Sequence, residues 1–205
     1  MEKWYVMRTV PGKEQKAAEL MERTADRNLW KQWRILKKQK LFRVKGRLFL
    51  NTEDMFPGYI FVETDHPKGL QEELEKSREY PALLGNPGAG KHSAEIIPVE
   101  EKDLEFLKSV CGPELDQPMA LSVVEADSEG NLIHIDGILG KYENRITRKR
   151  LRKRYVLAQI DLFCRKEDIL FGIRMPGDEI TEEGRSNAGL HEPAEKDGRG
   201  VCSDS

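Results

Sequence analysis

The feature that most constrains this chain is a change of periodicity near residue 112. Before it, apolar residues recur both at helical spacing and in short alternating runs; after it, only the short runs remain. Ala17, Leu20, Met21, Thr24 and Ala25 predict a helix from about Lys13 to Asn28. Leu70 and Leu74 mark a short helix reaching about Arg78. Leu104, Leu107 and Val110 mark a third, opened by Pro98, with Glu100 and Glu101 in the first turn, where the helix dipole favours them. Between these lie strand signals at Trp4–Val10, Ile35–Leu36, Leu41–Val44, Leu48–Leu50 and Tyr59 to about Thr64. Gly112 to Pro118 has linker composition. The strand-rich runs beyond it, Leu121–Val124, Leu132–Ile135, Tyr155–Phe163 and Asp168–Met175, predict a small barrel. The expected fold class is therefore α+β. An N-terminal α/β sandwich over 1–111, an antiparallel sheet with helices, is followed by a linker over 112–120 and a β-barrel over 121–176. A polar, acid-rich tail over 177–205 is expected to be disordered.

Bulk numbers narrow the function classes. At 205 residues with 38% apolar content the chain can bury one large core or two small ones. Its net charge of −2 says nothing about partners, so the distribution of charge has to. Cys111, Cys164 and Cys202 are odd in number and show no ligand spacing, which points to reduced thiols and no metal. No apolar run approaches membrane-spanning length, so a cytoplasmic, monomeric protein without a membrane partner is expected.

Met55 to Glu63 carries the most specific signal. In Phe56-Pro57-Gly58-Tyr59, proline fixes one φ and glycine permits a positive one, giving a sharp turn into a strand. Alternation then puts Tyr59 and Phe61 on one face, Ile60 and Val62 on the other. The aliphatic face suits packing beneath helices. The aromatic face is either a second core or a docking surface.

This stretch, with Trp4-Tyr5-Val6, resembles the N-terminal domain of NusG-type transcription elongation factors. Asp136-Gly137 and the strand ending Leu162-Phe163 are similar to the KOW barrel that follows it in that family. The two resemblances cover roughly 3–110 and 121–176, in the family's order. Ile138 stands where the family often has proline, and Asn144 where it usually has glycine; asparagine tolerates a left-handed turn. The resemblance implies a non-enzymatic factor, without cofactor, that binds RNA polymerase. Phe56, Tyr59 and Phe61, neighboured by Trp4 and Tyr5, would receive the clamp helices of the largest subunit, one of Trp4 and Tyr5 belonging to the core.

Two basic stretches bear on nucleic acid. Arg145 to Arg154 holds seven cations in ten residues: Arg145, Arg148, Lys149, Arg150, Arg152, Lys153 and Arg154. Such density in a hairpin favours a polyanion nearby, although a solvated charged turn has the same composition. Its strength resembles the operon-specific antitermination paralogs of the family (LoaP-like), which implies that the barrel engages a nascent RNA hairpin. Tyr142 and Tyr155 flank the run and could stack on bases, but read more simply as barrel residues. Arg27 to Leu50 contains no acid. There the family resemblance implies contacts of Lys37, Lys38, Lys40, Arg43, Lys45 and Arg47 to upstream or non-template DNA, with Trp30 and Trp33 either stacking or packing. A general elongation factor, its barrel binding a termination factor or ribosomal protein, is the alternative within the family.

An enzyme reading rests on Gly85-Asn86-Pro87-Gly88-Ala89-Gly90-Lys91, which imitates a phosphate-binding loop. That loop needs Ser or Thr directly after the lysine, and His92 stands there with Ser93 one place late. His66, His92, His134 and His191 have no partner at ligand or triad spacing. No catalytic residue is expected.

Overall fold

The computed structural model describes residues 3–84 and 96–181. The fold is α+β. β1 (Trp4–Arg8) leads to α1 (Glu14–Thr24), which ends sooner than its apolar spacing predicts. The Asp26 carboxylate accepts the Asn28 N–H and starts a separate 3-10 turn at Arg27–Leu29. β2 (Gln32–Arg34) follows; Ile35-Leu36, expected as a strand piece, lies between strands, and the other two apolar pieces fall within two eight-residue strands, β3 (Lys37–Val44) and β4 (Arg47–Asp54). Their two-residue turn is Lys45-Gly46, both at positive φ, as the twist of a tight hairpin requires. β5 (Tyr59–Glu63), α2 (Pro67–Leu74), β6 (Ala82–Leu83) and α3 (Glu101–Cys111) complete the first half. The second half holds β7 (Ser122–Ala126), β8 (Leu132–Asp136), β9 (Ile146–Arg150), β10 (Tyr155–Leu162) and β11 (Arg165–Arg174), and β12 (Ile180–Thr181) closes the described chain.

Three sheets result, in the orders β2-β5-β1-β6, β8-β7-β11-β10-β9 and β12-β4-β3. The five-stranded sheet is curled, consistent with a KOW-like barrel. Alternation along β5 divides the apolar residues into two cores. Ile60 and Val62, with Tyr5 and Met7 of β1, pack against Ala17, Ala18 and Met21 of α1 and Leu70 of α2. Phe61, with Trp4 and Val6, faces the opposite way and joins Phe106, Leu107 and Val110 of α3. That second core continues without a break into Val156, Ile160, Phe171 and Ile173 of the curled sheet. The aromatic face is thus a core in this arrangement, and Trp4 and Tyr5 are both buried, one in each cluster.

The turn into β5 forms as its sequence predicts. Gly58 has φ +88°, and a Cβ there would stand 3.1 Å from the Thr9 carbonyl oxygen. The buried Glu14 carboxylate accepts the Gly58 N–H and ties the turn to α1. Burial raises its pKa, but backbone N–H groups of Glu14, Gly58 and Gly12 outweigh that and hold it below the usual range. Further on, Asn144 has no positive φ; the left-handed conformation falls at Gly137, packed against Ser122.

The stretch with linker composition is packed. Leu115 and Met119 are buried, and Met119 exchanges backbone hydrogen bonds of 2.9 Å with Lys37 and Gln39 of β3. Residues counted with the tail also take part in the fold: β12 pairs in parallel with Leu48 and Phe49 of β4, and Asp178 pairs with Arg154. Residues 182–205 of the expected tail, and the loop from Gly85 to Ser93 with His92, lie outside the described residues, as do His191 and Cys202.

Candidate functional site

The aromatic face of β5 is closed by the tip of the β10–β11 hairpin. Phe163 and Cys164 form its two-residue turn at φ 54° and 60°, with Leu162 and Arg165 paired across it. The Phe163 ring lies 5.7 Å from Phe56 and 6.1 Å from Phe61, and Phe56 and Phe61 are 6.0 Å apart, so three rings form one cluster. Phe61 has no exposed surface, and Phe56 and Tyr59 are half-buried. At the rim the Arg165 guanidinium reaches 3.5 Å from the Tyr59 hydroxyl oxygen.

Two carboxylates from the start of α3 hold that tip. Asp103, 1% exposed, accepts the Phe163 N–H through Oδ2 at 2.8 Å, while its Oδ1 is buried without a partner. Burial pushes the Asp103 carboxyl above the ordinary aspartate range, against the pull of the Phe163 N–H. Glu100 accepts the Cys164 thiol at 2.9 Å and pairs with Lys102 at 2.8 Å. These two contacts, the thiol first, hold the Glu100 carboxyl low, and the same hydrogen bond raises the Cys164 thiol. One turn on, Phe106 meets Tyr142 edge-to-face at 5.6 Å, and Tyr142 in turn meets Phe171 at 5.8 Å, which makes Tyr142 a core residue. The constellation binds one half of the chain to the other.

The two basic stretches divide into tied and free cations. On the hairpin, Lys37 pairs with Asp54, and the nearly buried Lys38 pairs with Glu53 at 3.5 Å, its pKa lowered by burial. Lys40 lies 5.8 Å from the centre of the Tyr155 ring. Arg43 donates to the Gly46 carbonyl at 2.9 Å, and Lys45 and Arg47 project at the tip. In the second half, Arg145 pairs with Asp161 at 3.0 Å, and Arg154, 14% exposed, is held by Asp178 and the Leu151 carbonyl. Arg148, Lys149, Arg150, Arg152 and Lys153 are exposed, with no ion pair among the described residues. Three of them sit on β9, an edge strand of the curled sheet. Trp30 is 4% exposed with the Arg27 guanidinium 3.9 Å above its ring, so it packs, while Trp33 stays half-buried. Among the described residues, no group of three His, Cys, Asp or Glu could hold a metal ion.

The family model described as transcription termination factor NusG matches residues 2–108, more than half of the chain. The chain belongs to the NusG family. It is also similar to a solved structure titled "Domain interaction in Thermotoga maritima NusG", with 18% identity over 84% of this chain and 94% of that one, at a TM-score of 0.41. No curated protein matches significantly. NusG-family proteins are non-enzymatic transcription factors that act on elongation and bind RNA polymerase. No helix among the described residues is long and apolar enough to cross a membrane.

Within this NusG-family chain, sequence reasoning located the aromatic face and the basic run but missed what lies against them. Asp103 and Asp178 were not singled out, and Phe163 was named only as the end of a barrel strand. A signal for Asp103 existed: with Leu107 and Val110 it falls on one stripe at i, i+4 and i+7, a charge on an otherwise apolar face. For Phe163 and Asp178 none existed, because both act across separations created by folding.

Proposed function

We propose that this protein is a transcription antitermination and processivity factor that grips RNA polymerase with one half and nascent, structured RNA with the other. Phe56, Tyr59 and Phe61 form the polymerase-binding face, and Arg148, Lys149, Arg150, Arg152 and Lys153 supply the RNA contacts. The observation that carries the RNA assignment is the run of exposed cations without an ion pair among the described residues, three of them on an edge strand. Such a row repels itself unless a polyanion neutralises it, and a duplex backbone does so with release of counter-ions. The polymerase assignment rests on family membership and on the three-ring cluster, whose apolar area rewards whichever partner covers it.

In the arrangement described, that partner is Phe163. Engagement of the clamp through the same rings therefore requires the β10–β11 tip to withdraw. A polymerase that binds only the open form shifts the population toward it, at a cost in apparent affinity equal to the fraction closed. The test is a transcription assay on a template with an intrinsic terminator downstream of an RNA hairpin. Replacing the five cations with glutamine should abolish read-through while leaving polymerase binding intact. Unchanged read-through by that variant would instead favour a general elongation factor, its barrel addressed to a protein.

A further inference from the structure

The two basic stretches lie about a hundred residues apart in sequence and meet in space. The meeting depends on Gly172 of β11: a Cβ there would stand 2.2 Å from the Gln39 carbonyl oxygen of β3 and 2.7 Å from Leu121 Cδ2. Only a residue without a side chain lets the β3–β4 hairpin lie on the curled sheet. Gly172 is paired across the strands with Tyr155, and Tyr155 with Arg150 of β9, so the crossing puts Lys40 over the Tyr155 ring on the side that Arg150 shares. Arg148, two residues earlier, is on that side too. The contact continues toward the hairpin tip. There Arg43 and Arg47 line a cavity of about 590 Å³ together with Arg154, Asp178 and Glu179. Of these two acids, Asp178 pairs with Arg154 and also attracts Arg43, and Glu179 is the other acid of the lining among the described residues.

From this we infer that Lys40, Arg43 and Arg47 of the hairpin and Arg148 and Arg150 of β9 form one continuous surface for structured RNA. Charge complementarity selects a polyanion. Rings stand among the cations as well: Lys40 lies over Tyr155, and the exposed Phe42 stacks on Phe49 on the hairpin face that Lys40 and Arg47 share. The surface exists only while the hairpin lies on the curled sheet. This inference rests on the RNA-binding half of the proposed function and adds the N-terminal hairpin to it.

The experiment measures binding of the full chain to an RNA stem-loop of about 20 base pairs, to its unpaired strand and to a DNA duplex, each at several salt concentrations. The hairpin variant Arg43→Gln/Arg47→Gln should weaken stem binding about three- to tenfold and lower the log–log salt slope by one to two. Arg148→Gln/Arg150→Gln should do the same. Arg47→Gln alone, which touches no structural hydrogen bond, should give part of the loss and guards against misfolding of the double variant. Gly172→Ala, which removes no charge, should also weaken binding by lifting the hairpin from the sheet. A hairpin variant with unchanged affinity and slope, beside a weakened β9 variant, would overturn the shared surface and leave the RNA assignment standing. Equal or tighter binding to the unpaired strand or the DNA duplex would overturn structured RNA as the ligand. No binding of any RNA by the unaltered chain would overturn both readings.

Discussion

At the scale of single residues, Asp103 controls how the two halves meet. Its Oδ2 satisfies the Phe163 N–H, and its Oδ1 is buried unpaired. Asp103→Ala should therefore destabilise the protein by about 1–3 kcal/mol, since a buried N–H loses its acceptor; chemical denaturation measures this. Asp103→Asn keeps an acceptor and removes the charge, so its stability at neutral pH should equal or exceed that of the unaltered chain. The pH dependence has a definite sign. The folded Asp103 pKa lies above its ordinary value of 3.8, so the folded state binds more protons between the two values. The stabilisation from its protonated form is complete below 3.8 and is lost as pH rises through the folded value. Glu14, Glu100 and Asp178 have lowered pKa values, and their contributions are lost as pH falls below their ordinary range. The Asp103 contribution thus runs opposite to those of the other three carboxyls as acid is added. Asp103→Asn should lack it, so as pH is lowered toward 3.8 the denaturation midpoint of that variant should fall more steeply than that of the unaltered chain, which a midpoint series over that range detects.

At the scale of elements, the β10–β11 hairpin and α3 act as plug and collar. A two-residue turn with both φ values positive presents Phe163 at the tip, and the first turn of α3 supplies the carboxylates around it. Phe163→Ala should leave both sheets intact while loosening the contact between them. Amide exchange should rise on β5 and α3, and polymerase capture should increase severalfold because less closed form has to open. Phe61→Ala acts differently. It removes a ring with no exposed surface and should cost about 3–5 kcal/mol in global stability, whichever partner is present. The contrast tells a covering residue from a covered one. β9 shows how far local reading reached: its basic composition was plain in the sequence, but its strand geometry comes from pairing with β10, since nothing in Arg148-Lys149-Arg150 favours a strand by itself.

At the scale of the molecule, the cores of the two halves are continuous through α3, and β12 returns from the second half to the hairpin of the first. Opening therefore exposes Phe56, Phe61 and Phe106 together, and in the proposed function the polymerase has to compensate that area. A protein locked shut by a Glu100→Cys bridge to Cys164 should lose polymerase capture under oxidising conditions and recover it on reduction. Retained capture in the oxidised state would place the polymerase contact elsewhere. Local spacing and composition determined the three helices, the longer apolar strands, the turn at Gly58, the division of β5 into aliphatic and aromatic faces and the basic runs. These follow from side-chain spacing and backbone freedom, which are properties of neighbours in sequence. Tertiary structure decided which partner covers the aromatic face, which cations are already paired and that two distant basic stretches adjoin. Those outcomes depend on contacts such as Gly172 with Gln39 and Asp103 with Phe163, and contact free energies between residues so far apart leave no periodic trace in the chain.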